Sequence, residues 1–215
     1  MKFIKSALAA ASLVAVMAPA TAAIVVLDFE GIGNAVAVGN FYNGGAGTNY
    51  GVQFSPATLA LVDSDAGGTG NFANEPSPST IMFFLDANNA TLNVAAGFDT
   101  GFSFFYTSST VATVNVYAGL NKTGAILGSI NLAAQHTGNN CQGDPTGTFC
   151  NWTAVGVAFA GIAKSIDFGG TANFTGFDNI TFGTNVPVVP EPSTYALMAL
   201  GLAGVGLISR RRKSA

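Results

Sequence analysis

Gly101-Phe102-Ser103-Phe104-Phe105-Tyr106, followed after Thr107–Thr110 by Val111–Ala118, decides the fold. Phe102, Phe104 and Tyr106 fall on one side of a period-two ribbon, with Ser103 and Phe105 on the other. Val114 and Val116 are likewise opposed to Thr113, Asn115 and Tyr117. Side chains alternate across a strand, so each stretch presents one greasy face. Two strands cannot cover such a face alone, and the pattern calls for a second layer.

Outward from this pair the same signal recurs. Ile24–Glu30, Tyr50–Ser55, Thr58–Asp63, Ile81–Asp86 and Thr91–Ala95 precede it, and Ile126–Leu132, Trp152–Ala160, Ala163–Phe168 and Gly176–Phe182 follow. Between Ile24 and Thr184 no run of about 11 residues or more keeps a helical period. Ala87-Asn88-Asn89 and Gly119–Gly124 are turn-forming clusters. About ten or eleven short strands with turns between them predict an all-β, two-sheet sandwich over residues 23–185. Asn34–Asn49 and Ala66–Ser79 are Gly-, Asn- and Ser-rich loops, and the second is a place for binding specificity.

The two ends have a different character. Lys2 and Lys5, the apolar run Ala7–Ala18 and Ala20-Thr21-Ala22 have the layout of a secretory signal peptide, residues 1–22. At the other end, Val189-Pro190-Glu191-Pro192 leads into an uncharged run, Tyr195–Ser209, and then Arg210-Arg211-Arg212-Lys213. The prolines keep the first part extended and accessible. As a helix the uncharged run is only about 22 Å long against a hydrocarbon core of about 30 Å. Gly201, Gly204 and Gly206 weaken that helix by roughly 1 kcal/mol each relative to Ala. Basic residues at both ends stay cytoplasmic, so the stretch between them is exported. A plain C-terminal anchor shares the length and charge of this tail but does not require the Pro-Glu-Pro.

Residues 186–215 resemble the PEP-CTERM sorting signal of exopolysaccharide-making Gram-negative bacteria, on Val189, Pro190, Glu191 and Pro192, the short apolar helix, and Arg210, Arg211 and Arg212. The resemblance implies export by Sec, a membrane-anchored precursor, and recognition by an exosortase. That membrane-embedded cysteine transpeptidase cleaves near the Pro-Glu-Pro and passes its substrate to the surface matrix. A second resemblance rests on Val114–Gly119, Gly124–Gly128, Trp152, Ala163–Gly170 and Gly176–Phe182. This pattern is similar to the jelly-roll ectodomain common in that sorting class. Together the two resemblances imply a non-enzymatic structural or adhesive protein of exopolysaccharide or biofilm, with a carbohydrate-binding module bearing a calcium-stabilised loop as the alternative and a secreted hydrolase as the third reading.

Composition narrows the partners. Between the two signals, ten carboxylates face only Lys122 and Lys164, a net charge of −8. Nucleic acid is excluded as a partner, since neutralising phosphate takes clustered Lys and Arg. Cys141 and Cys150 lie in an exported loop and are expected to form a disulfide, two free thiols or half a metal site being the alternative. The jelly-roll resemblance implies that the first and last strands are neighbours. Glu30 and Asp178 are therefore candidate ligands for a structural Ca2+ at their seam, unless they are exposed strand-end residues. Asp63-Ser64-Asp65 is a weaker candidate, without the spacing of an EF-hand loop. Trp152, directly after the disulfide loop, is the candidate for stacking on a sugar ring, unless it packs within the sandwich. Nothing in the sequence points to catalysis. The lone histidine, His136, sits in a polar loop, no serine has a nucleophile-elbow context, and Gly31-Ile32-Gly33 opens no helix.

Overall fold

A computed structural model describes residues 24–138, 140–142 and 147–188. The signal peptide expected at 1–22 and the sorting residues Val189, Pro190, Glu191, Pro192, Arg210, Arg211 and Arg212 lie outside the described residues. So does the apolar run at 195–209. Among the described residues no helix is long and apolar enough to cross a membrane.

Twelve strands are present among the described residues: β1 (Val25–Leu27), β2 (Val36–Ala37), β3 (Val52–Phe54), β4 (Thr58–Val62), β5 (Thr80–Phe84), β6 (Asn89–Phe98), β7 (Gly101–Ser108), β8 (Ala112–Tyr117), β9 (Ile126–Leu132), β10 (Thr153–Ala158), β11 (Ala163–Gly169) and β12 (Thr175–Phe182). They form two antiparallel sheets. The larger runs β10-β7-β12-β5-β4-β2 with β1 also on β12, and the smaller runs β3-β6-β11-β8-β9. The all-β sandwich expected from the alternation is therefore present. β2 was not foreseen, because two residues inside a Gly- and Asn-rich loop carry no periodic signal. Asn89 belongs to β6 rather than to the preceding turn.

The core is aromatic. Phe102 and Phe104 are fully buried, Tyr106 nearly so, and all face the second sheet as their alternation requires. Phe168 in β11 meets them from the other layer, with ring centroids 5.8 Å from Phe102, 5.7 Å from Phe104 and 4.9 Å from Phe177. These T-shaped contacts suit the ring quadrupoles. Val114 and Val116 of β8 are fully buried beneath the same layer.

β12 is the centre of the larger sheet, and it is broken. Its register against β7 shifts between Asp178 and Thr181, where Asn179 adopts φ +47°. Such a bulge re-aims side chains and bends the strand. One edge of β12 thereby serves two partners in succession. Phe177 pairs with Met82 of β5 before the bulge, and Ile180 pairs with Leu27 of β1 after it.

Candidate functional site

The bulge in β12 makes the seam that the sequence reading expected between first and last strands. Leu27 of β1 pairs with Ile180, and Glu30 follows just beyond. Glu30 and Asp178 are close enough for the Glu30 charge to act on Asp178. Their oxygens, however, are already engaged. Glu30 Oε1 accepts the N–H groups of Ser79 and Thr80, each at 2.8 Å. Glu30 Oε2 accepts the two hydroxyls, at 3.1 and 3.0 Å. The Asp178 carboxylate accepts Ser77 N–H at 2.7 Å and Asn179 N–H at 2.6 Å.

Asp178 is fully buried, and desolvation pushes its pKa up from 3.8 to about 8, against the pull of its hydrogen bonds and with a smaller push from Glu30. The phenol of nearby Tyr42 is also raised, chiefly by burial and then by Asp28. Tyr42 Oη accepts Phe29 N–H at 2.7 Å and donates to Asp28 at 3.5 Å. Calcium requires six to eight oxygens with free lone pairs. In this arrangement Glu30 has every lone pair filled by a donor, and burial of Asp178 disfavours its charged form. Among the described residues no group of three or more His, Cys, Asp or Glu side chains comes together. The two carboxylates thus do not fit a calcium ligand set as they stand. They grip the base of the 63–79 loop instead, with Asp63, the other candidate, buried in the turn that starts it.

The same loop is held at its tip by the disulfide loop. Cys141 and Cys150 are bonded, their Cα atoms 5.0 Å apart. Phe72 pairs with Phe149 in an isolated parallel bridge, and Ala73 N–H donates to Phe149 O at 3.1 Å. The amide of Asn74 donates to Gln142 O at 3.0 Å. His136 joins this structural unit: its carbonyl accepts Cys150 and Asn151 N–H, both at 2.9 Å, and its ring lies 5.2 Å from Phe149.

Trp152 sits beneath the two loops. Its indole N–H donates to Ala73 O at 3.0 Å and its ring lies edge-on to Phe72 at 6.3 Å. Gly176 in β12 leaves room there, since a Cβ would come within 2.8 Å of Ile81, 3.3 Å of Thr107 and 3.5 Å of Trp152. The sequence reading left Trp152 either at a rim or packed, and its polar atom is used internally. Phe72, Phe83, Phe149, Asn71 and Asn173 border a small pocket of about 30 Å³ on this face, room for water and for nothing as large as a sugar.

A larger cleft opens at one end of the sandwich. It measures about 290 Å³ and is bounded by Tyr50, Val52, Phe98, Asp99, Ile162 and Phe182. Tyr50 is 41% exposed and stacks at 6.1 Å on buried Tyr42. This is the size at which small-molecule sites begin. Sequence alternation puts Tyr50 at the start of a strand, and nothing local to it places the ring in a cleft built from β3, β6 and the β10–β11 turn.

No curated protein matches the chain. Among solved structures, a family 6 carbohydrate-binding module is similar over 60% of this chain and 82% of its own, at 16% identity and a TM-score of 0.37. CsCBM6-3 from Clostridium stercorarium, in complex with cellobiose, has 17% identity, the same coverages and a TM-score of 0.36. A carbohydrate-binding module from Cellvibrio mixtus lichenase 5A, in complex with cellotriose, has 14% identity over 62% of this chain and 90% of its own, at a TM-score of 0.36. Likeness at that level carries no ligand to this chain. The C-terminal match is of another kind. Residues 188–213 match the PEP-CTERM protein-sorting motif, over the same Pro-Glu-Pro, apolar run and basic end. The chain is thus an exported protein bearing a PEP-CTERM sorting motif, the mark of an exosortase substrate.

Proposed function

We propose that this is a non-enzymatic protein of the cell surface or extracellular matrix of a Gram-negative bacterium. It is exported by Sec, anchored in the inner membrane by its C-terminal helix, and released to its site by exosortase. There it serves a structural or adhesive role in exopolysaccharide or biofilm. The observation that carries the reading is the sorting motif at 188–213. A net charge of −8 on the mature part repels anionic polymer, so the matrix component it engages is neutral or bridged by cations. The test is the mass and location of the mature protein in cells with and without the sorting peptidase. A tail still attached in peptidase-bearing cells overturns the reading.

A second reading, a carbohydrate-binding module, is favoured by the end cleft, where an exposed Tyr50 ring stands over about 290 Å³ of space beside Asp99. Tyrosine rings offer a flat apolar face to a pyranose and a polar tip to its hydroxyls. Affinity electrophoresis in gels containing neutral polysaccharides decides it: retardation supports a glycan site, and unchanged mobility in all of them removes it.

A further inference from the structure

Ser103 in β7 and Thr181 in β12 point away from the core, yet both are fully buried. What covers them is the last described segment of the chain. After Phe182 the backbone turns at Gly183, φ +85°, and runs back over the outer face of the larger sheet. Gly183 N–H donates to Gly101 O at 3.1 Å, and the Ser103 hydroxyl donates to Thr184 O at 3.0 Å. Val188 N–H donates to the Thr181 hydroxyl at 3.4 Å.

The track beneath is made of small residues because nothing larger fits. A Cβ on Gly156 of β10 would stand 2.0 Å from Asn185 O, and one on Gly101 would stand 2.7 Å from Asn185 N. Neither glycine has a positive φ, so space and not backbone conformation requires them. Bonds to the sheet therefore continue as far as Val188, and Val189-Pro190-Glu191-Pro192 follows directly in sequence.

We propose that residues 184–188 form a strap whose seating on Gly101, Ser103 and Gly156 controls access of the sorting peptidase. The proposal rests on the exosortase reading above. A peptidase that grips an extended main chain needs residues on both sides of its cut. Upstream of the Pro-Glu-Pro those residues are bonded to the sheet. Only six residues, 189–194, separate the seated Val188 from the apolar run, a reach of about 20 Å at full extension. The seated strap thus holds the sheet's outer face within about that distance of the membrane, and cleavage follows peeling of the strap. Gly101, Ser103 and Gly156 are positioning residues for a reaction performed by another protein.

The experiment is a pulse-chase of precursor to mature form in peptidase-bearing cells. It uses full-length wild type, Gly156→Val, Thr181→Val, and each of these with a Gly-Ser-Gly-Ser insertion between Val188 and Val189. Gly156→Val unseats the strap, while Thr181→Val removes, with little change of shape, the bond accepted from Val188 N–H and the one its hydroxyl donates to Asn179 O in the bulge. Losing seating bonds should speed processing about fivefold or more for Gly156→Val and less for Thr181→Val. The insertion should speed wild type and leave Gly156→Val unchanged, a non-additivity that general destabilisation does not produce. Equal rates in all backgrounds, or an insertion effect of the same size in each, overturn the strap while leaving the sorting reading intact. Wild type that stays unprocessed overturns the sorting reading and the strap with it.

Discussion

The carboxylate of Asp178, in the last strand, accepts a 2.7 Å hydrogen bond from the backbone N–H of Ser77, 101 residues earlier in the chain. Glu30 grips Ser79 and Thr80, two and three residues further on, where the loop enters β5. Two acidic side chains near opposite ends of the sequence thus fix one loop base, in a site where one of them is too buried to carry its charge comfortably.

That burial sets a pH dependence. The Asp178 pKa is about 8 in the folded protein against 3.8 for the free side chain, so the native state retains a proton that the unfolded chain releases. A pKa raised on folding contributes stability that is full below about pH 4 and is lost as pH climbs to about 8, then changes no further. Thermal melts from pH 5 to 9 should show stability falling by up to about 1.4 kcal/mol per unit from this group until the plateau. Asp178→Asn, which keeps an acceptor but cannot ionise, should remove that slope. An identical slope in wild type and variant would show that Asp178 ionises normally.

Removing divalent cations should change little at the seam. Glu30 already accepts four hydrogen bonds, so a bound cation would have to displace donors it cannot replace. EDTA should leave the melting midpoint of the purified protein unmoved. A ligand that binds only the native state raises that midpoint, so a drop on chelation would restore calcium to Glu30 and Asp178.

Reduction should matter more. The Cys141–Cys150 bond closes a ring of ten residues, for which chain entropy gives about 2.7 kcal/mol. It also backs the Phe72–Phe149 bridge that pins the 63–79 loop. Cys141→Ser with Cys150→Ser should lower the denaturation midpoint by an amount of that order. Proteolysis should then begin between residues 66 and 79. An unchanged digestion pattern would show that the loops do not depend on each other.

Two aromatic residues should behave oppositely. Trp152 donates to Ala73 and packs on Phe72, so Trp152→Ala should cost roughly 3 kcal/mol or more of stability. Tyr50 is partly exposed on the cleft, and Tyr50→Ala should cost only about 1 kcal/mol of stability while abolishing any neutral-glycan retardation. Retained binding in Tyr50→Ala would move the site elsewhere on the molecule.

The strands were legible because their alternation is local: Phe102, Phe104 and Tyr106 announce their face without reference to anything else. The juxtaposition of Glu30 and Asp178 was legible too, through the neighbourhood of first and last strands. Its chemistry was not, because the donors that fill Glu30 come from Ser79 and Thr80, which read only as part of a polar loop. Ser103 shows the same limit. Its place on the outer face follows from period two, but its burial depends on Thr184, 81 residues away. Trp152 stands beside the disulfide loop as its position suggested. Its hydrogen bond to Ala73 is a contact between two loops whose separate compositions reveal no pairing.

The bond between Cys141 and Cys150 also orders events in time. Thiols stay reduced in the bacterial cytosol and become oxidised beyond the inner membrane. The clasp joining the two outer-face loops is therefore fastened only after translocation. On the proposed route the polypeptide crosses with that face unfinished, and two covalent steps await it on the far side, an oxidation that completes the surface and the proposed cut at the sorting motif.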